Sequence, residues 1–384
     1  MKCYLDNAAT TVCLPEAAQK MQTVLCEDFG NPSSLHNMGM DAENYIKESR
    51  QIIAKTLKAK PAEIVFTSGG SESNNLAISG TVRNRKRYGK HIITTEIEHP
   101  AVREPIAALE AEGYEVTRLR VDSHGVIDIN ELEAAMREDT VLVSIMHVNN
   151  EIGSVMPVEK AASVIHERNK NTYFHVDAIQ SYGKIPVFPG RIGIDLMSVS
   201  GHKLHGPKGS GFLFIREGVN IAPLIYGGGQ ENGLRSGTEN VPAIAGLGAA
   251  VADLFKDQDS NIAHLRKLRA MLVEGLEGID GISINGPEAE NAAPHIVSVT
   301  ARGVRAEVLL HALEEEGVYC SAGSACSSNR PAKSRTLSAI GLKGDALEQT
   351  VRFSLSVHTT EEEIKYAIGK MSEIVPRLAR FVRR

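Results

Sequence analysis

Apolar runs of strand length alternate with helical patterns through the first two thirds of the chain. This alternation constrains the fold most, because repeated strand–helix–strand units build a mostly parallel sheet with helices on both faces. The predicted strands are 64–66, 92–95, 115–119, 141–146, 173–176, 195–199 and 212–215, and the predicted helices are 73–87, 101–112, 130–138 and 157–169. We expect an α/β domain whose ligand binds beyond the carboxyl ends of the strands.

The last third of the chain has a different pattern. Residues from Asn240 to about Met271 are predicted to be helical and to include a long linking helix. Short apolar runs at 281–285, 295–300, 317–320 and 351–356 then alternate with helical stretches near 304–316 and 361–380. This pattern predicts a second, smaller α+β domain, and a length of 384 residues is sufficient for two or three domains.

Composition excludes several classes of protein. The formal net charge of −5 argues against non-specific nucleic-acid binding, and no stretch is long and apolar enough to span a membrane. The five cysteines are an odd number and lie far apart, which fits a reducing compartment better than a disulfide framework. Because the chain has no CxxC or HExxH cluster, we expect no metal site of its own.

Lys203 and Asp177 each follow a predicted buried strand, and the two strands are consecutive. A lysine and an aspartate in these positions suit pyridoxal phosphate (PLP), because the amine forms a Schiff base with the cofactor aldehyde. The carboxylate keeps the pyridinium nitrogen protonated, so that the ring withdraws electrons from the substrate. Lys208 is a rival for the amine, but it lies in a turn-rich loop, so we favour Lys203.

A glycine-rich turn at 67–74 follows the first predicted strand and precedes a helix. Free backbone amides at a helix start favour a phosphate group, and glycine allows close approach of the anion. Gly70 and Ser71 lie where such a turn would hold the phosphate. The sequence matches neither a Walker loop nor the G-x-G-x-x-G pattern, so the turn gives no support to nucleotide binding.

Short motifs along nearly the whole chain make a resemblance specific. They are YLDNAATT (4–11), GNPSSLH (30–36), TSGGSESNN (67–75), EHPA (98–101), NNEIG (149–153), HVDAIQ (175–180), SGHK (200–203), RSGT (235–238), SAC (324–326) and RFSL (352–355). In this order they resemble the cysteine desulfurases of the NifS/IscS type, class V aminotransferases of the fold type I PLP enzymes. The resemblance implies a large PLP-binding domain at 15–257 with a mostly parallel sheet. It also implies a smaller α+β domain, formed by 1–14 and 258–384, that carries a mobile cysteine loop.

The resemblance also implies roles for individual residues. The ring of His99 stacks on the cofactor and assists proton transfer, a task suited to a group that titrates near neutrality. Asn150 and Gln180 lie near the phenolic oxygen of the cofactor, although Asn149 competes with Asn150 for this place, and Asn150 is also expected near the substrate. The remaining expected contacts are Gly70, Ser71, Ser200 and His202 to the phosphate, Asp177 and Lys203 as above, Thr238 to the phosphate of a partner subunit, and Arg352 to the substrate carboxylate.

Cys326 would decide the reaction. It lies in a segment rich in small residues, whereas Cys320 ends an apolar run and is expected in the core. A thiolate is the nucleophilic form of cysteine. We therefore expect Cys326 to take sulfur from L-cysteine as a persulfide, with L-alanine as the other product. A selenocysteine lyase or another class V PLP enzyme is the alternative, and a non-enzymatic scaffold is disfavoured because Lys203 and Cys326 are both present.

The resemblance further implies a homodimer and a protein that accepts the sulfur, either an iron–sulfur scaffold or a thiolation enzyme. Met1 lies close to the first motif, so we expect no signal peptide and a cytoplasmic protein. The chain departs from the family pattern after 355, has a basic segment with Arg330, Lys333 and Arg335, and ends at Arg384 without a docking tail. These differences leave iron–sulfur assembly, tRNA thiolation and other sulfur pathways open.

Overall fold

The computed structural model describes residues 1–322 and 333–382. Its strands are β1 (Cys3–Tyr4), β2 (Ile64–Thr67), β3 (His91–Thr95), β4 (Glu115–Leu119), β5 (Thr140–Met146), β6 (Tyr173–Asp177), β7 (Leu196–Ser200), β8 (Gly211–Ile215), β9 (Ile282–Asn285), β10 (Ile296–Ala301), β11 (Val318–Tyr319), β12 (Ser321–Ala322) and β13 (Thr350–Ser354). Its α-helices are α1 (Pro15–Cys26), α2 (Asn37–Leu57), α3 (Gly70–Arg85), α4 (Pro100–Ala111), α5 (Ile129–Ala135), α6 (Val158–Arg168), α7 (Pro189–Ile192), α8 (Val241–Lys256), α9 (Gln258–Glu277), α10 (Ala306–Glu315), α11 (Arg335–Ala339) and α12 (Glu361–Val382).

The large sheet has the strand order β2-β8-β7-β6-β5-β3-β4. Only β8 runs antiparallel to its neighbours in this sheet, so the other strands share one direction and one carboxyl edge. Each predicted strand of the first two thirds corresponds to a strand of this sheet. The expected α/β fold with a mostly parallel sheet is therefore confirmed.

Both faces of the large sheet are covered by helices. Ile93 packs into the core formed with α2, α6 and α8, whereas its neighbour Ile92 packs on the opposite side with residues of α3 and α4. This follows from strand geometry, in which successive side chains point to opposite faces. A strand buried on both sides reads as a continuous apolar run, which explains why the pattern at 92–95 and 141–146 was so clear.

A second core lies around the four-stranded antiparallel sheet β12-β13-β10-β9. Its buried apolar residues come from the last 120 or so residues together with Cys3 and Leu5 near the start of the chain. The start of the chain reaches this core because β1 pairs in parallel with β11, and Asp6 forms a bridge to Ser354. The domain limits 1–14, 15–257 and 258–384 stay a prediction.

No helix among the described residues is long and apolar enough to cross a lipid bilayer. Within residues 1–322 and 333–382, no three His, Cys, Asp or Glu side chains are grouped so that they could hold a metal ion.

Candidate active site

A cavity of about 630 Å³ lies at the carboxyl edge of the large sheet. The turns that follow β2, β3, β5, β6 and β7 all contribute to its wall, as expected for a parallel sheet. Ten of the predicted site residues line it: Gly70, Ser71, His99, Asn150, Asp177, Gln180, Ser200, His202, Lys203 and Arg352. A second cavity of about 670 Å³, between the turn at 122–129 and the segment 287–294, contains none of them.

The turn between β2 and α3 forms one end of the cavity. Gly69 has a φ of +146°, a conformation that favours glycine, and it places Gly70 at the first position of α3. A Cβ atom on Gly70 would lie 2.2 Å from the terminal Cδ1 of Ile179, so a larger residue there would require the Ile179 side chain to move. The first amides of a helix have no intrahelical acceptor, so this end of the cavity is suited to an anion.

Glu72, in the first turn of α3, stabilises the turn between β2 and α3. Its carboxylate accepts hydrogen bonds from the backbone N–H of Ser68 at 2.8 Å and from Nε of Arg235 at 3.0 Å. Burial opposes ionisation of this carboxyl group, but the hydrogen bonds from Ser68 and the Arg235 guanidinium bring its pKa below the usual value. The contact joins the turn to the loop 226–240, which carries Thr238.

Asp177 ends β6 and is 4% exposed. Its carboxylate accepts hydrogen bonds from Nδ2 of Asn74 at 2.8 Å and from the backbone N–H of Ile179 at 3.0 Å. Burial raises the pKa of this carboxyl group, and nearby His99 and Lys203 act in the opposite direction. A buried carboxylate facing a cavity in this way is stabilised by any cation that the cavity receives.

Lys203 lies in a short turn immediately after β7 and extends across the cavity. Its Nζ donates hydrogen bonds to the carbonyl oxygens of Ala8 and Ala9, at 2.6 and 2.5 Å. Lys208 also lines the cavity, but it is itself exposed in the turn that precedes β8. A third amine, Lys184, donates to the carbonyl oxygen of Lys203 at 3.0 Å, and burial together with the charge of Lys203 lowers its pKa to about 7.

His99 is the N-cap residue of α4, and its Nδ1 accepts a hydrogen bond from the backbone N–H of Ala101 at 3.1 Å. Burial lowers the pKa of this imidazole, Lys203 lowers it further, and Asp177 acts against both. The hydrogen bond fixes the neutral tautomer, so the proton of His99 is carried on Nε2.

The structure separates the two adjacent asparagines. Asn149 is fully buried and holds its own turn, because its Oδ1 accepts from the backbone N–H groups of Glu151 and Ile152 at 2.9 and 3.1 Å. Asn149 does not line the cavity, whereas Asn150 does. The geometry therefore favours Asn150 as the residue that meets a ligand.

Arg352 in β13 brings the second core to the cavity, and its side chain is 3% exposed. Nη2 donates to Oδ1 of Asp6 at 2.8 Å, and Nη1 donates to the carbonyl oxygen of Asn150 at 2.8 Å. The guanidinium group is thus held in place by two acceptors before a substrate arrives. A carboxylate that binds Arg352 must share the group with Asp6 or displace it.

Of the predicted site residues that the structure describes, only Thr238 does not line this cavity. Thr238 is exposed in the loop 226–240, and Cys326 lies outside the described residues. Cys320, expected in the core, packs partly buried against the second core, and burial raises the pKa of its thiol. Ala8 to Thr10 also line the cavity, and sequence reasoning gave them no role although they lie inside the first motif.

The family profile described as aminotransferase class-V matches residues 3–367 of the chain. The chain belongs to this family. Two curated relatives of this class-V aminotransferase, from Dictyoglomus turgidum and Klebsiella pneumoniae, are both named cysteine desulfurase IscS. They are 44% identical over 376 residues and 45% identical over 380 residues, which is 98% of this chain in each case and 95% and 93% of the relatives.

Solved structures of similar proteins agree with the family. A NifS-like protein has a TM-score of 0.92 at 40% identity, covering 98% of this chain and 100% of its own. A structure described as SspA in complex with cysteine has a TM-score of 0.80 at 37% identity, covering 93% of this chain and 100% of its own. The NifS/IscS resemblance and the fold type I prediction are confirmed, and the cofactor of this class-V aminotransferase is PLP.

The residues that line the cavity fit PLP, independently of the similarity to known proteins. The glycine turn places the first residues of α3 at the cavity, where the backbone amides of a helix start suit a phosphate group. The buried carboxylate of Asp177 suits a protonated ring nitrogen, and the amine of Lys203 suits the aldehyde. The residues that would hold the cofactor are therefore Gly70, Ser71, Asp177, Ser200, His202 and Lys203.

Proposed function

We propose that this class-V aminotransferase acts on L-cysteine, removing its sulfur and releasing L-alanine. The chain is a PLP-dependent cysteine desulfurase. The observation that carries this conclusion is its similarity, over 98% of its length, to relatives named cysteine desulfurase IscS. The similarity spans both the segments that form the large sheet and those that form the second core, and it supports the chemistry proposed below.

Bound PLP supplies an electron sink that makes the Cα–H bond of the substrate acidic and its sulfur open to attack. We propose that Nζ of Lys203 takes the proton from Cα and that Arg352 orients the substrate carboxylate. Asp177 keeps the proton on the ring nitrogen, and His99 carries a proton on Nε2 facing the same space. With the cofactor bound, Asn150 and Gln180 would donate to its phenolic oxygen, and Gly70, Ser71, Ser200 and His202 would hold its phosphate.

The sulfur acceptor within the enzyme is Cys326, which lies outside the described residues. Its thiolate attacks the sulfur of the substrate, so that an S–S bond forms as the C–S bond breaks. The electron pair of the broken bond remains on the substrate carbon, which takes up a proton to become the methyl group of L-alanine. The balance is L-cysteine plus the Cys326 thiol giving L-alanine plus a Cys326 persulfide.

We also propose a homodimer in which Thr238 contacts the phosphate of the partner's cofactor. Exposed apolar side chains support an interface, among them Phe29, Leu35 and Tyr226, which are 66%, 100% and 75% exposed. The outgoing sulfur passes to an acceptor protein, either an iron–sulfur scaffold or a thiolation enzyme, and we propose that this takes place in the cytoplasm. The basic residues Lys333 and Arg335 lie next to the segment of Cys326 and suit an acidic acceptor surface.

Incubating the PLP-bound protein with L-cysteine and dithiothreitol tests the function, with sulfide and alanine measured together. Equal amounts of both are expected. Cys326→Ala should retain PLP but release no sulfide, because a methyl group cannot accept sulfur. Cys320→Ala is the matched control and should keep turnover. Pyruvate with ammonia in place of alanine would select a β-eliminating lyase, and full sulfide release from Cys326→Ala would exclude the proposed acceptor.

A further inference from the structure

His295 lies behind the cavity wall, in the residue immediately before β10. It is fully buried, and its Nε2 lies 3.3 Å from Oε1 of Gln180. Gln180 lines the cavity, whereas His295 does not. The contact joins the antiparallel sheet of the second core to the turn after β6, and the proposed reaction assigns no part to His295.

The neighbouring groups determine how the amide of Gln180 is turned. Its Nε2 lies 3.0 Å from the carbonyl oxygen of Ala8, which can only accept a hydrogen bond. The NH₂ group of Gln180 must therefore face Ala8, and its Oε1 must face His295. Because Oε1 is also only an acceptor, His295 must donate from Nε2.

The tautomer of His295 agrees with this arrangement. Nδ1 is buried and has no hydrogen-bond partner among the described residues, so a proton on Nδ1 would be left without an acceptor. Burial lowers the pKa of His295 well below the usual value, and the cations Lys184, Arg352 and Arg269 lower it further. The neutral ring with its proton on Nε2 is the form that leaves no buried N–H group unpaired.

The same carbonyl oxygen connects this arrangement to the reacting amine. The oxygen of Ala8 accepts both Nε2 of Gln180 and Nζ of Lys203, at 3.0 and 2.6 Å. An amide nitrogen carries two hydrogens, and Ala8 uses one of those on Gln180. The second hydrogen is available to a ligand oxygen, because Gln180 lines the cavity. If the amide turned over, it would present a carbonyl oxygen there instead.

We propose that His295 is a positioning residue, which holds the amide of Gln180 with its NH₂ group toward the cavity and so fixes the donor to the phenolic oxygen of the cofactor. The proposal rests on the role given above to Gln180. It predicts that the second core influences the electronic state of the cofactor through one hydrogen bond. Such outer contacts typically change affinity or activity by about 10- to 100-fold.

The test compares His295→Leu, which removes the donor, with His295→Gln, whose side-chain amide replaces Nε2. The readout is the pH at which the visible absorption band of the bound cofactor titrates, measured on the holoenzyme together with its PLP content and Tm. A hydrogen-bond donor stabilises the anionic form of the phenolic oxygen. If the NH₂ group of Gln180 is no longer held toward this oxygen, the pH midpoint of the titration should rise. We expect a rise on the order of half a pH unit in His295→Leu, a fall in kcat/KM on the order of tenfold, and near wild-type values in His295→Gln.

Gln180→Leu and the double variant distinguish positioning from a merely structural role. Gln180→Leu should raise the midpoint by itself, and adding His295→Leu should raise it no further, because His295 acts only through Gln180. An unchanged midpoint in His295→Leu while Gln180→Leu shifts it, or additive shifts in the double variant, would overturn this inference alone. No shift in Gln180→Leu would overturn the role proposed for Gln180 as well. If His295→Leu does not fold, His295→Phe takes its place in the comparison.

Discussion

Glu98 carries a buried carboxyl group beside the active site whose proton should affect stability. Its Oε1 accepts from Thr95 and from the backbone N–H of Met146 at 2.8 and 2.9 Å, while Oε2 has no partner among the described residues. Burial raises its pKa from 4.5 to about 8. The folded protein therefore holds this proton more tightly than the unfolded chain does. The resulting stability is complete below about pH 4.5 and is lost as the pH rises through about 8.

Glu98→Gln should remove this pH dependence, because the amide keeps the shape and does not ionise. We expect the difference in Tm between the variant and the wild type to increase in favour of the variant, by on the order of 2 °C or more, as the pH is raised from about 5 to about 9. Thermal unfolding of the PLP-bound proteins across this range measures the effect. The control is Glu104→Gln, which changes an exposed carboxylate nearby. A Tm difference that stays constant with pH would show that Glu98 does not hold the proton.

Reduction with borohydride should attach the pyridoxyl group to Lys203. The reason is positional, since Nζ of Lys203 reaches the carbonyl groups of Ala8 and Ala9 at the cavity wall, whereas Lys208 is exposed. Peptide mapping of the reduced protein measures the site of attachment. Lys208→Ala is the matched control and should still give the adduct. A pyridoxyl group found on Lys208 or Lys184 would show that Lys203 does not carry the reacting amine.

The loop 226–240 is anchored by a buried ion pair with α2. Glu231 is 3% exposed and accepts two hydrogen bonds from Arg50, at 2.7 and 2.9 Å, and one from the backbone N–H of Phe66 at 2.9 Å. Glu231→Gln would leave Arg50 without its anion, which should lower stability by on the order of 3 kcal/mol. Thermal unfolding and limited proteolysis within 226–240 check this prediction.

Glu217→Gln provides the comparison for this ion pair, because Glu217 pairs with Lys60 on the surface and is 70% exposed. Exposed pairs contribute little, so its Tm should match the wild type. Equal behaviour of the Glu231 and Glu217 variants would mean that the buried pair does not anchor the loop.

The strands of the large sheet could be predicted because they are buried on both faces and are therefore continuous apolar runs. An apolar run does not show the direction of a strand, so the antiparallel direction of β8 could not be predicted from it. Its signal is the short connection at 201–210, since a parallel neighbour needs a longer crossover, usually a helix. Helices α1 and α2 lie before the first predicted strand and were not predicted. Both helices pack on α8, which lies far along the chain, and the alternation of strands and helices does not extend to them.

The active site was predictable where residues follow strands, since Asp177 and Lys203 mark the carboxyl edge by their positions alone. The wall built by Ala8 to Thr10 was not, because small residues carry no chemical signal and their place depends on a contact with Ser354 far along the chain. The contact between His295 and Gln180 could not be predicted either, because the two residues are 115 positions apart in the sequence.

At the scale of the whole molecule, the proposed dimer should share its active sites. Thr238 does not line the cavity of its own chain, so its proposed contact must be with the partner's phosphate. Mixing Lys203→Ala subunits with Thr238→Ala subunits should create one site with both residues intact. Activity above that of either variant, measured on isolated heterodimers, is expected.

The control for subunit sharing is a heterodimer in which one subunit carries both substitutions and the other is wild type. Each of its two sites then lacks one of the two residues, so it should remain impaired. Higher activity of this control than of the mixed heterodimer, with Thr238→Ala itself impaired, would mean that Thr238 serves its own subunit.

The pairing of β1 with β11, and of Asp6 with Arg352 and Ser354, has a consequence for biosynthesis. A ribosome makes the segment that contains Ala8 and Ala9 well before it makes β11 and β13, the strands that hold this segment in place. Until then, a nascent chain lacks one wall of the cavity and the two carbonyl groups that bind Nζ of Lys203. We therefore expect the complete cofactor site to form only after β13 has been synthesised.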